Sequence, residues 1–437
     1  MKLRNLAAVL ACFLLACLAA GAAFAADLPT TKSPPAPAAP PNWWDTLTIN
    51  GVVDAGITGN PDLGAGGVNF GRLFDDKANT PLLNQLSLIA QRPIDPNAKT
   101  VDFGFKVQLL YGSDARYTHY LGECDYCINN INQVDVVEAW GEVHLPYIFS
   151  GGIDVKVGQF VTLEGLEVIN APDNLFYSHS YIFNFGIPLK DTGVMTITHV
   201  NPLLDVYAGA ITGVNTSIGW PGDNNNAPAF EGGIGLNLLN GNLTVLATTN
   251  IGPENPDTPL GIANCLCDPN STFRYLNDVD VTWKATDKLT LMAEGNYIHD
   301  DGYIPGGVSG YGAAGYASYV INDWLKANGR AEIWRDANVG EGSWTGFVNA
   351  FPGNFDYVSA EHGYPNGSFG ASAPTTYLEL TAGLNITPVL PKDTLYPKAL
   401  IIRPEVRYDS SLNNTTPFDY GTKTSGVTIG GDVILKF

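Results

Sequence analysis

Charged, nucleophilic and thiol-bearing residues of this chain fall into a few groups. Acids Glu164, Glu167 and Asp173 lie in one long segment, 161–192. Basic side chains Lys326, Arg330, Arg403 and Arg407 come later, in two separate stretches. Opposite charges facing one another across water would create a transverse field that orders water and steers small ions. Ser178-His179-Ser180 offers a nucleophile beside a base. That chemistry needs a third, orienting group, and the sequence places none. No phosphate loop or dinucleotide fingerprint is present, so neither an enzyme nor a cofactor is expected.

Two cysteine pairs stand apart from these, Cys124-Asp125-Tyr126-Cys127 and Cys265-Leu266-Cys267. In an exported chain such thiols favour disulfides. Either each pair closes locally or the two segments are stapled together. A bond across Cys-x-Cys would be strained, which favours stapling. A four-thiolate metal site is the rival reading, and the expectation is no metal.

The elements that carry these residues repeat one pattern, alternation with period two. In 101–111, Val101, Phe103, Phe105, Val107, Leu109 and Tyr111 share a face, while Asp102, Gly104, Lys106, Gln108 and Leu110 share the other. In 273–285, Phe273, Tyr275, Val279, Val281 and Trp283 oppose Arg274, Asp278, Asp280, Thr282 and Lys284, with Asn277 a polar intruder on the apolar face. In 400–409, Leu400, Ile402, Val406 and Tyr408 oppose Arg403, Glu405, Arg407 and Asp409, with Pro404 interrupting. Similar segments cover 47–58, 83–91, 134–145, 152–160, 194–200, 203–214, 230–239, 243–251, 289–299, 311–322, 325–336, 376–387 and 424–437. About sixteen strands result, and an even count suits a bacterial barrel.

The links between them alternate in length. Long ones lie near 59–82, 112–133, 161–193, 215–229, 252–272, 300–310, 337–374 and 410–423. The others are mostly short, such as 240–242, 286–288 and 323–324. Short turns at one rim and long loops at the other describe an all-β, antiparallel, up-and-down transmembrane barrel. Its apolar face must meet lipid, and mid-strand Lys and Arg keep to the polar face. Tyr111, Tyr275, Tyr297, Tyr311 and Tyr408 at the loop side, with Trp283 and Phe437 at the turn side, would form the two aromatic girdles.

The chain ends fit export. Lys2 and Arg4 precede an apolar run from Leu6 to Ala20 and a small-residue site at Ala23-Phe24-Ala25. We read 1–25 as a signal peptide, 26–45 as a Pro/Ala-rich periplasmic linker, and 46–437 as the barrel. No later apolar stretch is long enough for a membrane helix. The formal charge of −20 becomes −22 once the leader is removed. Such an acidic chain excludes nucleic acid as a partner. Phe437 closes an alternating last strand and resembles the signal read by the barrel-assembly machinery.

One family shares a set of residues with this chain. They are Val157-Gly158-Gln159-Phe160, Gly165, Glu167, Asn174, Tyr177-Ser178, Ser180-Tyr181, Pro188 and Thr192-Gly193-Val194, with 47–53 and Asn84-Gln85-Leu86 earlier. The chain resembles the β-barrel porins of OmpL-like type. The resemblance implies an outer-membrane barrel with a porin role, no catalytic residue and no defined substrate; passive diffusion of small hydrophilic solutes through the polar lumen is the function expected. By analogy with trimeric general porins, the segment 161–192 would fold inward, and Glu164, Glu167 and Asp173 would line a constriction facing Lys326, Arg330, Arg403 and Arg407. A homotrimer in outer-membrane lipid is expected on the same analogy. Two other functions compete: a barrel-anchored receptor or adhesin using acidic outer loops such as 337–374, and a lipid-modifying enzyme using Ser178 and His179.

Overall fold

The computed structural model describes residues 42–96, 98–120, 128–218, 223, 225–254, 267–302, 307–337, 374–391 and 397–437. The expected signal peptide, most of the linker, and Cys124, Cys127 and Cys265 lie outside the described residues.

Sixteen antiparallel strands form one closed sheet. The first eight are β1 Thr48–Gly59, β2 Leu82–Arg92, β3 Asp102–Gly112, β4 Gln133–Leu145, β5 Ile153–Val161, β6 Lys190–Asn201, β7 Leu204–Ile211 and β8 Ala229–Leu238. The second eight are β9 Leu243–Pro253, β10 Phe273–Lys284, β11 Leu289–Asp300, β12 Val308–Asn322, β13 Leu325–Asp336, β14 Thr375–Ile386, β15 Ala399–Ser411 and β16 Ser425–Lys436. Each strand pairs with its sequence neighbours, and β1 pairs with β16 to close the ring. Closure satisfies the backbone of every strand without water, which is what a sheet in hydrocarbon requires. Among the described residues no helix is long and apolar enough to cross a membrane.

Period two sets the two faces. Phe103, Val107, Val157, Val279, Ile333, Leu380, Val406 and Ile429 are exposed on the outside. Asp54, Gln85, Gln108, Glu138, Asp278, Arg330 and Arg407 are buried on the inside. Tyr297 and Tyr311 stand exposed at the loop end, ring centroids 6.5 Å apart, and Trp283 at the turn end. The intruder Asn277 is exposed but paired, its Oδ1 accepting a hydrogen bond from Thr249 Oγ1 at 3.0 Å.

Two departures from simple alternation have local causes. β6 begins at Lys190, four residues before the alternating run, because Lys190, Asp191 and Thr192 are all buried and hide the period. Pro404 keeps β15 in register with β16, opposite Gly431. On its other side the ladder to β14 passes from Gly383–Glu405 directly to Ile386–Ile402 without a shift. Proline has no N–H to donate, so the ladder skips there.

The inside is not uniformly polar. Leu110, Leu276, Ile298, Tyr316, Trp334 and Tyr377 point inward from six strands. They pack against Leu73 and Phe74 from the link after β1, and against Ile182, Phe183, Phe185 and Ile187 from the link after β5. A hydrophobic core therefore sits within the barrel, built by two inward-folding segments.

Candidate functional site

The link 162–189 between β5 and β6 enters the barrel and is buried along most of its length. Its sequence explains why. Residues 175–189, LFYSHSYIFNFGIPL, are rich in aromatic and aliphatic side chains. Left outside, they would expose a large apolar patch to water. Inside, Phe183 packs edge-on against Phe74, and Tyr181 lies against Tyr377 with centroids 5.2 Å apart.

Burying this segment strands its backbone amides and carbonyls unless the wall supplies partners. It does so through acidic and basic side chains. Glu332 on β13 accepts from the N–H groups of Tyr181 and Ile182 at 2.7 and 2.8 Å. Glu405 on β15 accepts from Tyr177 N–H at 2.8 Å and Ser178 N–H at 3.2 Å. Arg403 donates to the carbonyls of Ala171 and Asn174, both at 2.8 Å, and pairs with Asp432. Arg407 donates to the His179 carbonyl at 2.5 Å and pairs with Asp409. Arg330 donates to Glu167 Oε1 at 2.6 Å and to the Ser178 carbonyl at 2.8 Å, while its Nε reaches Glu379 at 3.0 Å. Charge-assisted bonds of this kind are the strong ones.

The expected constriction residues are thus distributed unequally. Glu167 touches Arg330 directly. Burial alone would raise its carboxyl, but the adjacent Arg330 guanidinium holds it below its ordinary value. Asp173 is exposed and accepts from the Asn170 amide. Glu164 is buried, with neither carboxylate oxygen hydrogen-bonded. Lys326 is exposed at the turn end of β13, whereas Arg330, Arg403 and Arg407 are buried anchors of the segment.

Sequence reasoning did not single out Glu332 and Glu405 as anchors. Both sit on inward faces of alternating strands, a signal shared by most charges of the barrel. It also missed Arg72, which reaches from the first link to Asp75 at 2.6 Å and Asp409 at 3.1 Å.

Ser178 and His179 form no nucleophile–base contact. Ser178 Oγ is 3.3 Å from Arg330, His179 Nδ1 has no partner, and its Nε2 is 3.3 Å from the Asn174 amide. The imidazole instead stacks on Phe183 at 4.1 Å. Burial lowers it to about 4, so it is neutral near pH 7.

A second set of acidic side chains lies around β6, β8, β10 and β11. Asp191, Glu231, Asp278, Asp280 and Glu294 are buried there beside Glu164. The nearby cations are engaged elsewhere: Lys190 with Asp135 at 2.5 Å and Arg274 with Asp300 at 2.9 Å. The interior is therefore asymmetric. Arginines neutralised by acids line β13 to β16, and carboxylates without an equal number of cations line β6 to β11.

Comparison with known proteins agrees with this architecture. The outer-membrane channel DcaP of Acinetobacter baumannii shares the fold, with TM-score 0.53, 12% identity, and 90% of this chain and 97% of that chain covered. OmpF of Salmonella typhi, determined in complex with daunomycin, has TM-score 0.53 and 10% identity over 90% of this chain and 97% of that chain. OprB of Pseudomonas putida has TM-score 0.50 and 15% identity over 90% and 94%. Among curated protein sequences no relative matches. The family model for beta-barrel porin-2, OmpL-like, matches residues 46–437, and the chain belongs to that family of porins.

Proposed function

We propose that this outer-membrane porin passes small hydrophilic solutes by passive diffusion and prefers cations. The observation that carries the preference is the carboxylate-rich interior from β6 to β11. Carboxyl groups that ionise beside a conduit raise the local concentration of cations. The test is the reversal potential of the refolded protein in a planar bilayer under a potassium chloride gradient. Wild type should favour potassium, and a D191N/E231Q double variant should move the potential toward zero. An unchanged potential would remove this wall from selectivity. The same recording bears on the receptor reading, since a folded but silent barrel would favour it; most of 337–374 lies outside the described residues.

The rest of the organisation belongs to the same reading. Residues 1–25 direct export, 26–45 form a periplasmic tether, and 46–437 form the barrel, delivered to the assembly machinery by the strand ending in Phe437. The outer-loop cysteines Cys124, Cys127, Cys265 and Cys267 form disulfides, and the disulfide carried by Cys267 supports this. The barrel assembles as a homotrimer in outer-membrane lipid.

A further inference from the structure

Asp278 and Asp280 are two apart on β10, so both point into the barrel. Asp280 lies directly opposite Glu294 on β11, and Asp278 opposite Asn296. One oxygen from each of the three carboxylates lies within 4.8 Å of the other two. Like charges facing across adjacent strands repel, and burying them unpaired is costly. The inward segment closes over the group. The backbone N–H of Gly165 faces both Asp278 and Asp280. A Cβ added at Gly165 would lie 3.5 Å from Glu294 Oε1, which places this backbone against the third carboxylate too.

A separate observation points to a ligand. The Glu164 side chain is carried into this region with 2% exposure and no partner for either oxygen. Burial is the main force pushing its carboxyl well above the usual range, reinforced by Asp278, Glu231 and Asp280. Asn296 donates to Asp278 at 2.9 Å and the Tyr316 hydroxyl to Glu294 at 3.3 Å. Asp278 Oδ1 and Asp280 Oδ1 still lack any hydrogen-bond partner.

We infer that Asp278, Asp280, Glu294 and Glu164 bind a divalent cation of the calcium class, which ties the inward segment to β10 and β11. Ligand oxygens on one calcium ion, each about 2.3–2.6 Å from it, lie at most about 5 Å apart, as the wall carboxylates do. An all-oxygen set suits calcium over zinc or copper, which take nitrogen and sulfur. Magnesium usually keeps several waters, which an enclosed carboxylate set does not favour. The inference goes beyond the channel reading, because it requires no conduction.

The full-length protein, refolded in detergent and stripped with EDTA, would be titrated with terbium chloride under tyrosine excitation. Tyr316 is the nearby sensitiser. The expected result is saturable emission displaced by calcium chloride, with affinity at least tenfold weaker in D280N and in E164Q. Calcium should also raise the unfolding temperature of wild type and not of the variants. Glu164 lies outside the strands, so E164Q preserves the barrel if D280N fails to fold. Absence of saturable emission in wild type would overturn the site, as would wild-type affinity in folded E164Q. Conductance on the same preparation separates the two readings. An open channel without terbium binding refutes the site alone, and terbium bound by a silent barrel refutes the channel alone.

Discussion

Arg330 is where wall and inward segment are joined most directly. Its guanidinium serves Glu167, the Ser178 carbonyl and Glu379, and lies over the Phe176 ring at 5.2 Å. Replacing it with Met would leave buried Glu167 without its cation and Glu379 with only Arg407 at 3.7 Å, a loss of about 3–5 kcal/mol for a broken buried pair. We expect R330M to unseat 162–189, raising single-channel conductance and noise and exposing the segment to protease; conductance and protection equal to wild type would remove the anchor role. His179 gives a pH signature. Undocked, its ordinary value is 6.5; docked, it is about 4. The undocked state then binds more protons between these limits. Docking is thus at full strength above about 6.5 and weakens as pH falls toward 4, by roughly 3 kcal/mol at most. Glu167, Arg330, Asp75 and Arg403 act on the same imidazole, so the diagnostic is the difference between wild type and H179Q. Protease protection should fall with acid more steeply in wild type than in H179Q, and equal slopes would count against the histidine. At this scale the sequence was partly legible. Charge type and strand face marked Arg330, Arg403 and Arg407 as inward. Their partners are backbone groups hundreds of positions away in some cases, and composition carries no trace of such contacts.

The elements themselves were legible from the pleat, because lipid on one side and polar groups on the other enforce alternation. The signal failed where that contrast disappears. Residues 190–192 are buried on both faces beneath the inward segment, so β6 was read as starting late. The segment's apolar run at 175–189 was visible in the sequence, but its consequence, a greasy core inside the barrel, requires the matching inward residues Leu276, Ile298, Tyr316 and Trp334. Leu110, the one aliphatic residue on the polar face of β3, was the available hint. How closely the segment is seated depends on small residues in the wall. A Cβ on Gly56 would fall 2.4 Å from the Tyr177 ring. Valine there cannot coexist with the seated ring, whose hydroxyl bonds Asn84 at 3.1 Å. G56V should keep the barrel, as judged by heat-modifiable gel mobility, yet alter conductance and protease protection of 162–189. Wild-type conductance in a folded G56V barrel would show that Tyr177 is not held against β1.

For the molecule as a whole, the solvent on each side of the sheet decides what can be changed. Val279 stands mid-strand on β10 and is exposed on the outer surface. An arginine there faces hydrocarbon and should cost about 2–4 kcal/mol near the bilayer midplane. Unfolding titrations in lipid vesicles should show that loss for V279R and almost none for V279L, and equal stability would mean that this face does not meet lipid. Fold class and link alternation were legible at this scale, because they are repeated sixteen times and survive local exceptions. The seam between β1 and β16 has a temporal meaning as well. Gly59 meets Ile429 and Val52 meets Lys436, so the first strand of the barrel finds this neighbour only after the fifteen strands that follow it have been made. Every shorter nascent chain is an open ribbon with two sticky margins. The ring cannot grow closed by degrees; it is sealed only when β1 meets β16.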